Sequence, residues 1–297
     1  MGRPRTPLSD RIFASAFKVY STVSGRRFMT DLREAKQRGL ISTLPNFCSI
    51  SRFLESEELT PVLKRLIIES SLPLKAVEDD FAVDSSGFAT GRQAHWVDAK
   101  WNKVRAQYGQ PAAPNINKRD WIKLHIMCGV KTNIVTSVEV THAHAGDSPQ
   151  FRPLVEATAQ NFRLREVSAD KAYSSEFNQH LVLVHGGEPY IAFRKNATAK
   201  NRRSGSVWKR LFFEFKINEE YFMRHYHKRS NVETTFSMIK AKFGEKLRSK
   251  TATAQANEVL CKVLCHNLCV LVSAIYELGV DPTFESTTTD DAKVTLY

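Results

Sequence analysis

Three carboxylates are placed where they could do chemistry together. Asp84 closes the apolar run FAV, Asp170 closes REVSA, and Glu233 lies inside the helical stretch HYHKRSNVETTFSMIKAKFG, residues 225–244. Carboxylates at strand ends, joined by one from a nearby helix, can hold hard divalent cations through oxygen. Two such ions about 3.5–4 Å apart stabilise the attacking and the leaving oxygen of an in-line phosphoryl displacement. Without a cation, three gathered carboxylates repel one another and raise their own pKa values, so such a cluster predicts the cation as well. Taken singly, an aspartate at a strand end has another use, as a cap for the following turn.

Glu233 does not stand alone on its helix. Tyr226, Arg229, Glu233 and Lys240 follow one another at spacings of three, four and seven. On a continuous helix at about 100° per residue, these four fall in a stripe roughly 60° wide. Val232, Phe236, Ile239 and Phe243 fall just beside it. The polar set therefore edges the buried face, which is where a cleft would be.

The elements that must position these residues can be read from periodicity. Residues 8–75 read as helical, with Thr60 as the N-cap and Pro61 at the first turn of the helix that follows PNFCSISRFLESEEL. From about residue 77 the pattern changes. FAVDSSGF (81–88) reads as a strand, and WIKLHIMCGV (121–130) with NIVTSVEVTHA (133–143) reads as a hairpin. A helix starts at Ser148-Pro149, REVSADKAY (165–173) is a strand, SSEFNQHLVLVHG (174–186) a helix and EPYIAFR (188–194) a strand. A basic loop, the Glu233 helix and a cysteine-bearing helix complete an α/β domain with a mixed sheet. The expected organisation is a helical N-terminal module over 1–76, a catalytic domain over 77–280 and an acidic tail over 281–297. For the N-terminal module, a DNA-reading unit such as a helix-turn-helix and a plain helical appendage are both open.

Bulk composition agrees with a soluble globular protein: 42% apolar and 25% charged over 297 residues. Forty-three Lys and Arg against 31 Asp and Glu give a net charge of +12, which favours a polyanionic partner, most simply nucleic acid. Residues 194–210, RKNATAKNRRSGSVWKR, hold seven basic residues and no acid. The five cysteines form no C-x-x-C pair, as suits a reduced intracellular chain. The cysteine segment carries Glu258, Lys262, His266 and Asn267, which argues for a core helix and against a membrane span.

The arrangement Tyr226-x2-Arg229-x3-Glu233-x6-Lys240 resembles the Y-R-E-K signature of DDE transposases encoded by bacterial insertion sequences. VDSSGF and SADKAYSS resemble the first two acidic motifs of that family, in the same chain order. The resemblance runs from roughly Phe81 to Gly244, more loosely to the end. It implies a ribonuclease H-like core, with first and fourth strands side by side, and a cytoplasmic enzyme acting on double-stranded DNA. Carried over, Asp84, Asp170 and Glu233 hold two Mg²⁺ ions, for which Mn²⁺ substitutes. Arg229 and Tyr226 hold phosphates, and Lys240 meets the DNA backbone. The partners implied are terminal inverted repeats and target DNA, with a homodimer formed on the DNA. Arg202, Arg203 and Trp208, in the basic run, are further DNA-binding candidates; Trp208 either stacks on an unpaired base or anchors the loop on the core.

Some relatives insert a long β-rich segment before the Glu-bearing helix and release the element through a DNA hairpin. About twenty residues between Arg194 and Phe215 are too few for that insertion. The rival readings are a structure-selective nuclease of the same fold, and a DNA-binding protein without catalysis. His142, His144 and Asp147 form no convincing ligand set, and Asp147 or Ser148 reads as a helix cap. Asp79 and Asp80 rival Asp84 by position, and MGRPRT is a short basic start of minor-groove type.

Overall fold

The computed structural model describes residues 6–90, 103–109, 121–200, 206–282 and 284. The chain opens with four helices, α1 (Leu8–Ser21), α2 (Gly25–Gln37), α3 (Phe47–Leu54) and α4 (Leu59–Ser71). The long strand β1 (Asp80–Thr90) follows, then the hairpin β2 (Trp121–Gly129) and β3 (Val135–His142). Next come α5 (Ser148–Ala159), β4 (Glu166–Ala169), α6 (Glu176–Val184) and β5 (Glu188–Ile191). The chain continues through α7 (Val207–Ile217), α8 (Glu219–Tyr226), α9 (Ser230–Phe243), the short β6 (Lys246–Leu247) and α10 (Ala252–Leu278).

The sheet runs β3-β2-β1-β4-β5, with β6 pairing the far end of β1. β1, β2 and β3 are antiparallel neighbours, while β4 lies parallel to β1 and β5 parallel to β4. This is the ribonuclease H-like mixed sheet flanked by helices that the sequence predicts, with the first and fourth strands adjacent.

The sheet is buried on both faces because β1 alternates two apolar sets. Phe81 and Val83 point to one side and pack with Phe151, Leu154 and Val155 of α5 and Val182 of α6. Ala82 and Phe88 point to the other, into a cluster with α4, α9 and α10 that includes Leu63, Ile67, Val232, Phe236 and Leu260. Each such side chain contributes roughly 1.5–3 kcal/mol when fully buried. Helices α1 to α3 share a separate small core around Ala14, Phe28, Leu32, Ile41 and Ile50. α4 belongs instead to the main core.

The hairpin turn is organised by a buried acid. The Glu78 carboxylate accepts from the backbone N–H groups of Lys131 and Thr132 and from the Thr132 hydroxyl. A side chain at Gly129 would run into that carboxylate and force it to shift from its three donors.

Helix α10 is long and apolar enough to cross a membrane by length and composition. It is nevertheless a core helix, and its polar side chains are stitched into the fold. Asn257 Nδ2 donates to the carbonyls of Leu54 (2.8 Å) and Ser56 (3.0 Å), Lys262 Nζ donates to those of Gly244 (2.7 Å) and Lys246 (3.1 Å), and His266 Nε2 meets that of Asn133 (2.9 Å). Cys261 and Cys265 are buried in the same helix, and all five cysteines are free.

Three local expectations are corrected. Helix α4 begins at Leu59, and Thr60 does not cap it; its hydroxyl donates instead to Asn257 Oδ1 at 2.7 Å, across to α10. The basic run ends not in a loop but in α7, which Ser206 caps through its side chain on Lys209 N–H. The Tyr226–Lys240 stretch is not one helix. α8 ends at Tyr226 and a 3₁₀ turn, His227–Arg229, intervenes before α9. At 120° per residue, that turn swings Tyr226 about 60° from the position an uninterrupted helix gives it.

Asn267 closes the joint between α10, α4 and β3. Its Oδ1 accepts from Val135 N–H at 2.9 Å, and its Nδ2 reaches the Val135 carbonyl at 2.7 Å and Ser70 Oγ at 3.0 Å. Asn267→Ala strands those buried backbone groups and costs about 3 kcal/mol. Thermal denaturation would then show a Tm lower by roughly 6–12 °C; an unchanged Tm would refute the assignment.

Candidate active site

Parallel pairing of β1 with β4 aligns Asp80 with Glu166 and Val83 with Ala169. The next residues are Asp84, which stays within β1 and pairs with β2, and Asp170, just past the end of β4, so the two aspartates lie side by side where β4 leaves the sheet. They share the face covered by α9, since Ala82 and Asp84 lie two apart, as do Ser168 and Asp170. Asp170 sits where β4 gives way to a 3₁₀ turn, and its Oδ1 accepts from Lys171 N–H at 2.7 Å. Asp84 Oδ1 accepts from Ser85 N–H at 2.8 Å. Both aspartates are half-buried.

α9 brings Glu233 to this edge. Val232, Phe236, Ile239 and Phe243 anchor the helix in the core, which leaves Glu233 on its exposed side with 57% of the side chain accessible. Arg229 lies between the acids: Nη1 donates to Asp84 Oδ2 at 2.7 Å and Nη2 to Glu233 Oε1 at 2.5 Å. The same guanidinium stands 5.9 Å from the centre of the half-buried Tyr226 ring. Lys240, two turns beyond Glu233, lies over the Phe88 ring at 5.3 Å. Burial, and then the like charges of Asp170 and Glu233, push the Asp84 carboxyl above its usual range despite Ser85 N–H and Arg229. Tyr226 is raised by burial and by Asp170 and Asp84.

The donor set fits a hard divalent cation in its chemistry. All three side chains offer carboxylate oxygen, and the Asp84 carboxyl carries the electrostatic penalty that a cation would relieve. As the residues lie, Arg229 supplies the positive charge between Asp84 and Glu233. Among the described residues no three His, Cys, Asp or Glu side chains gather tightly enough to hold an ion, so holding one requires Arg229 to release a carboxylate.

The remaining candidates separate clearly. Arg202 and Arg203 lie outside the described residues, as do Met1–Arg5 and nearly all of the acidic tail. Trp208 takes the second of its two readings: it is only 6% exposed, donates from Nε1 to the Thr198 carbonyl, and packs edge-on against Phe193 at 5.0 Å. Buried in this way it anchors the segment and offers no ring face to a base. Asp80 is taken up by ion pairs with Arg165 and Lys228. His142 and His144 are exposed at and beyond the end of β3.

Sequence reasoning missed a polar cluster on the opposite face of β1. Asp147 does not cap α5 with its side chain. It accepts from Ser85 Oγ and from Lys123 Nζ, both at 3.0 Å, and lies 3.5 Å from His125 Nδ1. His125 is fully buried and its Nε2 meets Thr141 Oγ1 at 2.8 Å; burial holds its pKa down to about 4, so it is neutral. This cluster braces the strand directly behind Asp84. The strand alternation around Ser85, Lys123 and His125 could have signalled it.

The sequence model of the transposase DDE-domain family matches residues 75–268, well over half of the chain and including every acid described above. No curated protein matches the chain. The chain belongs to the transposase DDE-domain family.

Because Asp84 has a raised folded-state pKa, its ionisation opposes folding. Between its unfolded and folded pKa values the native state binds more protons, so stability falls as pH rises through that window. Asp84→Asn should therefore raise Tm at neutral pH, with a gain that shrinks as the pH is lowered through the carboxylate range. A Tm below wild type at pH 7 would contradict this account.

Proposed function

We propose that this chain, a transposase of the DDE family, cuts DNA at the ends of its own mobile element and joins them to target DNA. The observation that carries the reading is the convergence of Asp84, Asp170 and Glu233 from two adjacent parallel strands and one helix, with Arg229 between them. In this reading the three carboxylates hold two Mg²⁺ ions, with Mn²⁺ able to substitute. The ions, when bound, activate water or a DNA 3′-hydroxyl and stabilise the departing oxygen.

The chain's own side chains then have distinct tasks. Asp84 and Asp170 are fixed by the sheet, so their spacing is set before any ligand arrives. Glu233 is on an anchored helix but points outward, and it completes the donor set from the solvent side. Arg229, once released from an acid, presents a planar fork suited to bidentate contact with a phosphate. Tyr226 stands within reach of the same phosphate as a hydroxyl donor, and its raised pKa keeps it protonated. Lys240 extends the positive edge two turns along the groove, where it meets the DNA backbone as a point charge. The basic segment from Arg194 onward starts beside this site, since Arg194 Nε donates to the Lys171 carbonyl at 3.3 Å.

The chain's helical hairpin of α7 and α8 fills the connection between β5 and the Glu233 helix. That is the place where some relatives carry a β-rich insertion, so the reading includes no DNA-hairpin step. The Y-R-E-K subgroup, the inverted-repeat substrate and a homodimer on DNA belong to the same proposal.

Cleavage of labelled element ends in Mg²⁺ tests the core of it. Glu233→Gln keeps the size of the side chain and removes one ligand charge. The variant should bind DNA as wild type does yet cut roughly 100-fold more slowly or worse. Equal cutting would remove Glu233 from the site. Wild-type cutting without subsequent joining would favour the nuclease reading, and binding with no cutting would favour the non-catalytic one.

Arg229 gives a second test that does not depend on turnover. Arg229→Gln removes the charge that competes with a cation. The Mg²⁺ concentration that gives half of the metal-induced rise in Tm should fall, while DNA affinity falls about tenfold. A higher metal requirement in the variant would show that Arg229 assists the ion instead of displacing it.

A further inference from the structure

The catalytic acid pair has a double lower on the same strands. Asp80 and Glu166 are direct neighbours in the β1–β4 register. They precede Asp84 and Asp170 by four residues each, an even spacing that puts both pairs on one face of the sheet, about 13 Å apart along the strands. Each pair is met by one of two consecutive residues of the 3₁₀ turn. Lys228 Nζ donates to Asp80 Oδ2 at 2.8 Å and to Glu166 Oε2 at 2.7 Å, and Arg229 reaches Asp84.

The lower pair is closed where the upper one is open. Asp80 is 5% exposed and held by both the Nε and the Nη2 of Arg165 as well as by Lys228. Glu166 is also met by His225 Nδ1 at 2.9 Å, and that imidazole is stacked on Tyr190 with centroids 4.5 Å apart. Arg165, just before β4, and Lys228, in the 3₁₀ turn, thus compensate the two acids in a mostly buried setting, and His225 at the end of α8 adds a further contact to Glu166. Removing one partner from such a set leaves buried charge uncompensated, so the geometry is strongly preferred.

We infer that Lys228 is a positioning residue, a latch that fixes the height of the 3₁₀ turn and of α9 along β1 and β4, and so brings Glu233 level with Asp84 and Asp170. The inference rests, for its catalytic consequence, on the reading of those three acids as the metal ligands. The turn suits the latch. Its rise of about 2.0 Å and rotation of about 120° per residue set Lys228 and Arg229 further apart than an α-helix would, as side chains bound for acid pairs at two heights require. Lys228 touches neither Asp170 nor Glu233, so it acts through the backbone that joins it to Arg229 and α9.

Amide hydrogen exchange over residues 226–236, without metal, tests the latch itself in full-length protein. Lys228→Met should speed exchange there by at least tenfold while β1 and β4 keep their protection, and Lys228→Arg should restore it. Lys228→Met/Glu166→Gln, which removes the stranded charge, should recover part of the loss. Unchanged exchange in Lys228→Met would overturn the inference, as would an increase spread evenly through the sheet. Mn²⁺ binding, read by the electron spin resonance of the free ion, tests the consequence. Lys228→Met should weaken it, with cleavage down about 10- to 100-fold and DNA affinity within about twofold. If wild type binds Mn²⁺ no better than Asp84→Asn, the metal reading fails, while the exchange result still decides the latch. Weakened DNA affinity with unaltered exchange would make Lys228 a DNA contact and overturn the positioning role.

Discussion

Like-charge repulsion between carboxylates on adjacent parallel strands is the constraint on which the rest of this structure depends. β1 and β4 carry two acid pairs in register, and a parallel ladder offers those acids no way to move apart. The protein meets the two pairs differently. Asp80 and Glu166 receive Lys228, Arg165 and His225, and burial there is tolerable because each carboxylate has charged donors. Among the described residues, Asp84 receives Arg229 and the Ser85 N–H, and Asp170 the Lys171 N–H. Burial, and then the charges of Asp170 and Glu233, leave the Asp84 carboxyl above its usual range, whereas Arg165 and Lys228 hold that of Asp80 below it despite burial. On the proposed reading, a bound cation would relieve the penalty at Asp84.

The core exists to hold that register against the repulsion. β1 is central and apolar on both faces, with α5 and α6 on one side and α4, α9 and α10 on the other. α10 carries the most telling residues, because a helix of its length could have been uniformly apolar. Instead Asn257, Lys262, His266 and Asn267 spend their polar groups on the backbone of α3, the β2–β3 turn, β3 and the end of α9. The Lys262, His266 and Asn267 bonds tie α10 to the strand ends or to the C-terminus of the Glu233 helix, and those of Asn257 tie it to the end of α3. Gly244, at φ +80°, lets the chain leave α9 sharply so that Lys262 can reach its carbonyl.

Much of this was legible in the sequence, for identifiable reasons. Period-two alternation with short apolar runs marked β1 and the hairpin. Asp170 does follow the end of β4, whereas Asp84, expected at a strand end, lies within β1, which antiparallel pairing with β2 carries on to Thr90. The apolar stripe of α9 was equally plain. The 3₁₀ turn was not, because nothing in HYHKRSN breaks a helix; the turn arises from ion pairs to residues 148 and 145 positions away in sequence, which no local pattern records. α7 was hidden for a related reason. Its basic and aromatic composition reads as loop until Phe193 supplies a surface for the aromatic face. Asp147 was misread because an aspartate ahead of Ser-Pro is a good local cap, and the tertiary pull of Ser85 and Lys123 outweighs that preference.

The helical hairpin α7–α8 gains a meaning from the same constraint. An aromatic train runs from Trp208 through Phe193, Phe215 and Phe222 to Tyr190, and His225 stacks on its end. Phe222 also lies against Tyr226, ring over ring at 6.3 Å. Contacts of this kind contribute about 0.5–1.5 kcal/mol each beyond the area they bury, and they are stiff because each ring has a single well-packed position. Through Phe222 and Tyr226 the train connects the basic segment to the 3₁₀ turn, with a branch onto Tyr190 of β5. With two helices and a packed aromatic seam, the segment that carries Arg194 to Lys200 is joined by ring contacts to Tyr226 and His225, close in sequence to the arginine that lies between Asp84 and Glu233.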